Sequence, residues 1–450
     1  MPVYNKYEYI DMMLESVYKQ EWDNIELIFV NDGATDGTRE KLSLWEPKFL
    51  NKGFEIIIID QENKGIPFAV KTGLLHVTGD YICLIDCDDK LDPKYVSTMA
   101  GWLDEHPEDD WTLCLWNSFS IENGVHKIFS TANVSFIPSH PNMMEKFLSF
   151  RYATVVWICM VRTNYLKKCR VVERFITDVR STQEPGFYLP LILGGGNVKI
   201  FDKPLYNHNR YYGQTYWGNA PFSDSFSKVK EYQDKHKEIT LKTITTLDAD
   251  FSLKKKWQAI LELAEMRVLL PETKRFHDGD EYVSDLASET AFLINKHFHP
   301  SPQITIENIV NNDYNILSLA ISDCILGDKS RMPPRITGRV IGCGVLGNVG
   351  RVHVPKLIGT SLEPTDLWDQ SAVSEDKING IPVSIPDYCS LTSDDIVLVF
   401  PADMKIKNEL FDILLNHRVE NIITGTDIME MMPALMYPMF YNKCEFVVDK

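Results

Sequence analysis

The chain has 450 residues, 44% of them hydrophobic and 24% charged, which suits two or three ordinary globular domains; no internal repeat or low-complexity tract interrupts it. Its 46 basic and 63 acidic side chains leave a formal net charge of −17, which argues against a nucleic-acid partner, because such binding rests on basic patches that displace counterions; a metal ion could still bring an anionic ligand to so acidic a protein. No signal peptide and no apolar stretch of membrane-spanning length is present, and the 9 scattered cysteines form no Cys-x-x-Cys pair and read as buried free thiols, so the expected location is cytoplasmic, with at most peripheral contact at the inner membrane face.

In chain order, the first recognisable element is an amphipathic helix with Tyr9, Ile10, Met13, Leu14 and Val17 on one face. A strand should precede it, and Met1-Pro2-Val3-Tyr4-Asn5 offers none. Ile25–Val30, Phe54–Ile59, Tyr81–Ile85 and Trp111–Trp116 read as short apolar strands, separated by helices around Thr38–Leu50, Pro67–Val77 and Lys94–Leu103. Continuous apolar strands between helices imply a mostly parallel sheet covered on both faces. Less regular strands follow near Val155–Val161 and Val198–Ile200.

From about Tyr211 to Gly327 the period is helical. Leu253, Trp257, Ile260, Leu261, Ala264 and Val268 share one face, as do Val283, Leu286, Thr290 and Ile294. Arg331-Met332-Pro333-Pro334 reads as a linker. A second βα pattern begins with a strand at Arg339–Ile341 and the turn Gly342-Cys343-Gly344-Val345-Leu346-Gly347. Asp369 then stands near the end of another strand, and Asp395–Phe400 and Glu420–Thr424 read as two more. The expected fold class is α/β: a mostly parallel sheet domain over 1–210, a helical segment over 211–330, and a small Rossmann-like α/β domain over 335–450.

The strongest chemical signal is Tyr81-Ile82-Cys83-Leu84-Ile85-Asp86-Cys87-Asp88-Asp89, an apolar strand that runs into three carboxylates. Ligands gather at the carboxyl ends of strands in open α/β sheets. Asp86 and Asp88, spaced i, i+2, can share one side of an extended segment and hold a hard divalent cation, which would neutralise a leaving diphosphate. A solvated acidic turn is the bland alternative. The second signal is Phe29-Val30-Asn31-Asp32-Gly33-Ala34-Thr35-Asp36-Gly37, another strand end that opens a helix. Asp32 could accept a hydrogen bond from a nucleobase N–H, and the same residues could equally be an Asx-turn with Thr35 or Asp36 as N-cap.

With Pro2-Val3-Tyr4-Asn5 and Asn63-Lys64-Gly65 added, these segments stand in the order and spacing of family-2 glycosyltransferases with the GT-A fold, and the chain resembles that family over roughly Met1–Arg210. The resemblance implies an inverting transferase that uses a nucleotide-diphospho-sugar, often a UDP-sugar, with Mg2+ or Mn2+. It implies Asp32 as the base contact, Pro2 and Tyr4 lining the same pocket, and Asp86 and Asp88 as the metal and ribose aspartates. The family's catalytic base falls at Glu184 in Thr182-Gln183-Glu184-Pro185, where Gln183 replaces the usual acidic neighbour; Asp178 is the competitor. Pro185 suits the start of a helix.

Lys203-Pro204-Leu205-Tyr206-Asn207-His208-Asn209-Arg210 resembles the segment that closes the family's catalytic domain. His208 there could reach metal or diphosphate, and Arg210 or Lys71 a phosphate. The family commonly has Arg-Asn where Val70-Lys71 stands here. The glycine-rich turn Gly342–Gly347 resembles small Rossmann-like modules fused to sugar-modifying enzymes; its expected role is nucleotide binding or a structural one. The implied acceptor is a hydroxyl of a surface polysaccharide, as a glycan or on a lipid carrier, and Lys167, Lys168 and Arg170 form a small basic cluster that could face a membrane. Rival readings are a sugar nucleotidyltransferase, which lacks its glycine-rich basic loop here, and a non-catalytic sugar-nucleotide-binding protein.

Overall fold

The computed structural model describes residues 1–122, 125–132, 143–149, 155–210, 226–276, 280–298, 336–401, 404–417 and 421–437, with isolated positions among 300–334 and at 419 and 441. The readings that fall on Tyr211, Gly327, Ser330, Arg331, Arg335, Glu420 and Cys444 lie outside the described residues. The chain divides near residue 283 into two compact units.

The first unit opens with β1 (Pro2–Val3), which pairs in parallel with Val30 and Asn31. This corrects the expectation that no strand precedes the first helix. Proline, lacking an N–H, is tolerated at the first residue of a strand. Helix α1 (Ile10–Tyr18) buries Ile10, Met13, Leu14 and Val17, the apolar face of its sequence. Then come β2 (Glu26–Asn31), α2 (Thr38–Lys52) and β3 (Glu55–Asp60). β2 and β3 pair in parallel from Glu26 opposite Glu55 to Asn31 opposite Asp60. Phe29, Phe49 and Phe54 pack between sheet and helix. Burying such a ring is worth about 1.5–3 kcal/mol. Helix α3 (Ile66–Leu74) carries Pro67 in its first turn and ends short of Val77.

The second sheet is mixed. It contains β4 (Tyr81–Cys83), β5 (Lys90–Leu91), β6 (Trp111–Glu122), β7 (Val125–Ala132), β8 (Cys159–Arg162) and β9 (Val198–Asn209), in the order β4-β8-β6-β9-β5 with β7 paired to β6. Among the described residues of this sheet only β6 and β9 pair in parallel. Both run past the expected ends at Trp116 and Ile200, so that Asn117 faces Asn207 and Ser118 faces His208. The helices are α4 (Tyr95–Glu105), α5 (Met143–Leu148), α6 (Thr163–Lys168), α7 (Val171–Arg174), α8 (Glu184–Gly194), α9 (Phe226–Thr246) and α10 (Phe251–Phe276). On α10, Trp257, Ile260, Leu261 and Ala264 are buried as their spacing predicts. The second unit begins inside α11 (Asp280–Phe298), where Thr290 and Ile294 are buried.

The rest of the second unit is built on β10 (Val340–Cys343), β11 (Asp366–Trp368), β12 (Lys377–Ile378), β13 (Ile381–Ser384), β14 (Ile396–Val399) and β15 (Asn421–Thr424). Their order is β12-β13-β11-β10-β14-β15, parallel throughout except for the β12–β13 pair. Ile341, Cys343, Val397 and Val399 fill its core with Leu410 and Leu414. The α/β class is thus as the sequence implies, but the strands at Tyr81–Cys83 and Trp111–Glu122 lie in a mixed sheet, mostly antiparallel in its pairing, instead of the expected mostly parallel one. Among the described residues no helix is long and apolar enough to cross a membrane, and the described cysteines are all free.

Candidate active site

Asp32 closes β2, and its backbone amide donates to the Val3 carbonyl at 2.8 Å. Its Oδ1 accepts from Gln61 Nε2 at 2.7 Å and from the Lys64 amide at 2.9 Å, and its Oδ2 accepts from the Gly65 amide at 2.9 Å. The side chain therefore fastens the Asn63-Lys64-Gly65 loop to the end of β2. An ionised carboxylate has about four acceptor positions, so Oδ2 retains one for a ligand. Asp36 Oδ1 accepts from the Thr38 amide at 3.0 Å, an Asx-turn at the start of α2, but the N-cap is Gly37 and neither Thr35 nor Asp36.

The acidic turn lies between β4 and β5. Cys87, Asp88 and Asp89 are buried and Asp86 is partly so. Asp89 faces inward: Tyr206 Oη donates to its Oδ2 at 2.7 Å and the Asn209 amide to its Oδ1 at 2.8 Å. Asn209 Nδ2 donates to the Asp88 carbonyl at 3.1 Å. Tyr206 in turn stacks on Trp157 with ring centroids 4.3 Å apart. Asp89 is thus the anchor that pins the turn to β9. Burial, then the charges of Asp88 and Asp86, holds its pKa well above the usual carboxylate range. Asp86 is pushed up to about 7, by burial first and by Asp88 second.

Residues Tyr4–Tyr7 sew the two motifs together. Asn5 Oδ1 accepts from the Thr35 amide at 2.8 Å, the Lys6 amide donates to Thr38 Oγ1 at 2.9 Å, and the Tyr7 amide donates to Asp36 Oδ2 at 3.0 Å. The Lys6 ammonium then reaches Asp88 Oδ2 at 2.9 Å. Burial opposes that charge, yet Asp88 outweighs burial and raises the Lys6 pKa. Pro2 belongs to β1, and Tyr4 leaves its side chain 46% exposed beside these strand ends.

Glu184 is the first residue of α8, with Pro185 behind it. Its Oε2 is buried without a hydrogen-bond partner. Burial drives its pKa up to about 8, and the charge of Asp86 adds to the shift. The segment ahead of it is tied to the Asp32 loop: Arg180 Nη2 donates to the Asn63 carbonyl at 2.6 Å, and Lys71 Nζ to the Phe175 carbonyl at 3.0 Å. Lys71 is therefore engaged with backbone. The competitor Asp178 is exposed and paired with Lys242 at 2.7 Å, an ion pair that lowers its pKa.

His208 is buried, its ring tilted against Trp157 at 5.2 Å between centroids. Burial, then the charge of Arg210, lowers its pKa to about 4, so the imidazole is neutral. Among the described residues no three His, Cys, Asp or Glu side chains converge closely enough to hold a metal ion by themselves. Mg2+ characteristically binds one or two protein carboxylates and takes its other ligands from water and phosphate. Asp86 and Asp88, hard oxygen donors whose charges act on one another, fit that demand. Lys6, Gln61, Arg180 and Tyr206 escaped the sequence reading. Their roles arise only where distant segments meet, although Lys6 directly follows the Pro2–Asn5 motif.

A cavity of about 820 Å³ lies elsewhere, lined by Pro2, Ile28, Val70, Leu74, Tyr81 and Cys83 among others, and touches none of the acidic side chains just described. In the second unit, a cavity of about 590 Å³ borders Gly344, Gly347 and Asp369. Asp369 Oδ2 accepts from the Leu346 amide at 3.0 Å and Oδ1 from Ser371 Oγ at 2.6 Å, so this carboxylate closes the glycine turn.

Residues 1–154 match the family described as glycosyl transferase family 2. The match covers the first 154 of the chain's 450 residues. The chain is similar to glycosyltransferase GlyA of Streptococcus pneumoniae serotype 4, 36% identical over 109 residues that make up 24% of this chain and 15% of that protein. It is also similar to EpsH of Bacillus subtilis, named as a glycosyltransferase, at 23% identity over 271 residues, 57% of this chain and 76% of that protein. The chain thus spans a small part of the first relative and about three quarters of the second. Among solved structures it is similar to Staphylococcus aureus TarS 1-349 in complex with UDP-GlcNAc, with a TM-score of 0.47 and 17% identity over 65% of this chain and 79% of that one.

Proposed function

We propose that the chain transfers one sugar, with inversion, from a nucleotide-diphospho-sugar, a UDP-sugar in the first instance, to a hydroxyl of a glycan or lipid-linked acceptor in surface polysaccharide synthesis. The reading assigns residues 1–210 to the catalytic domain, and places the protein in the cytoplasm with peripheral contact at the inner membrane face. The family match of residues 1–154 supports the reaction class. The observation that carries the site is the buried, unpartnered Oε2 of Glu184, in a carboxyl whose pKa is raised by burial and further by the charge of Asp86.

In this reading Asp32 uses its remaining acceptor position on the nucleobase, while Pro2 and Tyr4 line the base pocket. Asp86 and Asp88 would hold Mg2+ or Mn2+ together with the diphosphate, and the neutral His208 ring is a further donor on that side. The cation supplies positive charge against the negative charge of the departing diphosphate. Glu184 accepts the proton of the acceptor hydroxyl as that oxygen bonds to the anomeric carbon. The carbon–oxygen bond to the diphosphate breaks on the opposite face, and nucleoside diphosphate leaves with the electron pair. General-base help of this kind is worth about 10²–10⁴-fold.

The test is release of nucleoside diphosphate from a panel of nucleotide sugars with Mn2+. Turnover that disappears in Asp88→Ala and Glu184→Gln supports the reading. Tight donor binding with no turnover by the intact chain would overturn it in favour of a sugar-nucleotide-binding protein.

A further inference from the structure

The Lys6 ammonium occupies a place where the acidic turn attracts any cation. It sits 2.9 Å from Asp88 Oδ2, with the lysine side chain 26% and the aspartate side chain 9% exposed. Its backbone is clamped on both sides. Asn5 holds φ at +46 and accepts from Thr35, the Lys6 amide bonds Thr38, and the Tyr7 amide bonds Asp36. Lys6 is thereby aimed at Asp88 from a fixed base, and its four-carbon stem is a flexible one.

Two effects follow, and they act in the same direction. An oxygen that accepts from an ammonium has a lone pair fewer to give a metal. A unit positive charge at ion-pair distance also repels a second cation at the same carboxylate. We propose that Lys6 is a tethered cation that holds Asp88 in the metal-free protein and competes with the divalent ion for it. The metal affinity is then set by how readily the ammonium leaves. This rests on reading Asp86 and Asp88 as the metal site.

The experiment is Mn2+ titration of the full chain followed by the electron paramagnetic resonance signal of the free ion, with and without UDP. Wild type, Lys6→Met, Lys6→Arg and Asp88→Asn are compared, with circular dichroism as the check on folding. Lys6→Met is expected to bind Mn2+ about tenfold or more tightly than wild type, the order that loss of one adjacent unit charge gives near a protein surface. Lys6→Arg should bind no more tightly than wild type, and Asp88→Asn should lose binding. Should the methionine variant unfold, Lys6→Gln replaces it and is read the same way. A wild type that binds Mn2+ while the neutral variant binds no tighter overturns the role of Lys6 and leaves the metal site standing. No Mn2+ binding by any form, even with UDP, removes the metal site and this inference with it.

Discussion

Gly33 lies against the backbone of Asn63: its φ is +73, and a Cβ placed there would meet the Asn63 nitrogen at 3.0 Å. The glycine lets the loop that Asp32 fastens come down onto the end of β2. Gly33→Ala should therefore lower stability by about 1–2 kcal/mol from the left-handed backbone alone, with crowding of Asn63 added to it. Urea unfolding measures this. Weaker UDP binding by calorimetry should accompany it, and unchanged stability would show that the loop yields freely.

Asp32→Asn puts an NH2 group where both carboxylate oxygens now accept. Gln61, Lys64 and Gly65 all donate to those oxygens, so at least one part-buried hydrogen bond loses its acceptor. A cost of about 1–3 kcal/mol is expected. Hydrogen exchange at the Lys64 and Gly65 amides should rise more than exchange in α1, and a uniform rise would contradict the local role assigned to Asp32.

Tyr206→Phe removes the donor to Asp89, a residue already pushed towards its protonated form by burial. The expected result is a loss of about 1–3 kcal/mol, because a buried carboxylate is left short of a hydrogen bond. Donor turnover should fall as well, since the Asp86–Asp89 turn loses one of its attachments to β9 and keeps those through Asn209. A variant as stable and active as wild type would show that the Asn209 amide suffices.

Glu184→Gln keeps the shape of the side chain and removes the base. Turnover should drop about 10²–10⁴-fold while nucleotide affinity changes little. In the wild type the rate should rise with pH, because the proton-accepting form of Glu184 prevails above its pKa. That pKa is about 8 in the metal-free protein, and a bound cation beside Asp86 would move the rising limb below it. Parallel losses in affinity and rate would point to collapse of the site.

The same carboxyls link stability to pH. The folded pKa of Glu184, about 8, and of Asp86, about 7, both exceed ordinary carboxylate values, so the folded chain holds protons that the unfolded chain has released. Their contribution is fully present at low pH. It is lost as the pH rises from the ordinary carboxylate range through about 7 and 8. The metal-free protein should melt at a lower temperature at pH 8 than at pH 6, and Glu184→Gln should flatten that slope. Added Mn2+ and UDP should stabilise most at the higher pH, where fewer protons must be displaced.

Much of the fold could be read from periodicity. The apolar face of α1 and the runs that became β2 and β3 are segments whose burial is decided locally. The polar half of β9, from Asp202 to Asn209, could not be read so, because those residues are strand through pairing with β6 and β5. Pro2–Val3 escaped for a similar reason: two residues have no period, and their strand character comes from Val30 and Asn31. In the site, Glu184 and the three aspartates were legible as motif residues. The fastening of Asp89 by Tyr206, of the loop by Arg180, and of Asp88 by Lys6 joins segments far apart in the chain, and no spacing rule encodes them.

Among the described residues, β4 pairs with β8 alone, and β2, beyond its ladder with β3, pairs only at Val30 and Asn31. The groove between these two strands opens beside Met1, whose amino group reaches the Ile28 carbonyl at 2.9 Å. Whatever is fused ahead of Met1 in a recombinant product starts at its mouth. A β-branched apolar leader would add rungs to β2 and stiffen the unit, whereas a glycine-rich tag would leave raw peptide edges on which neighbouring molecules can assemble. Preparations that differ only in their affinity tag should therefore differ in melting temperature and in their tendency to clump.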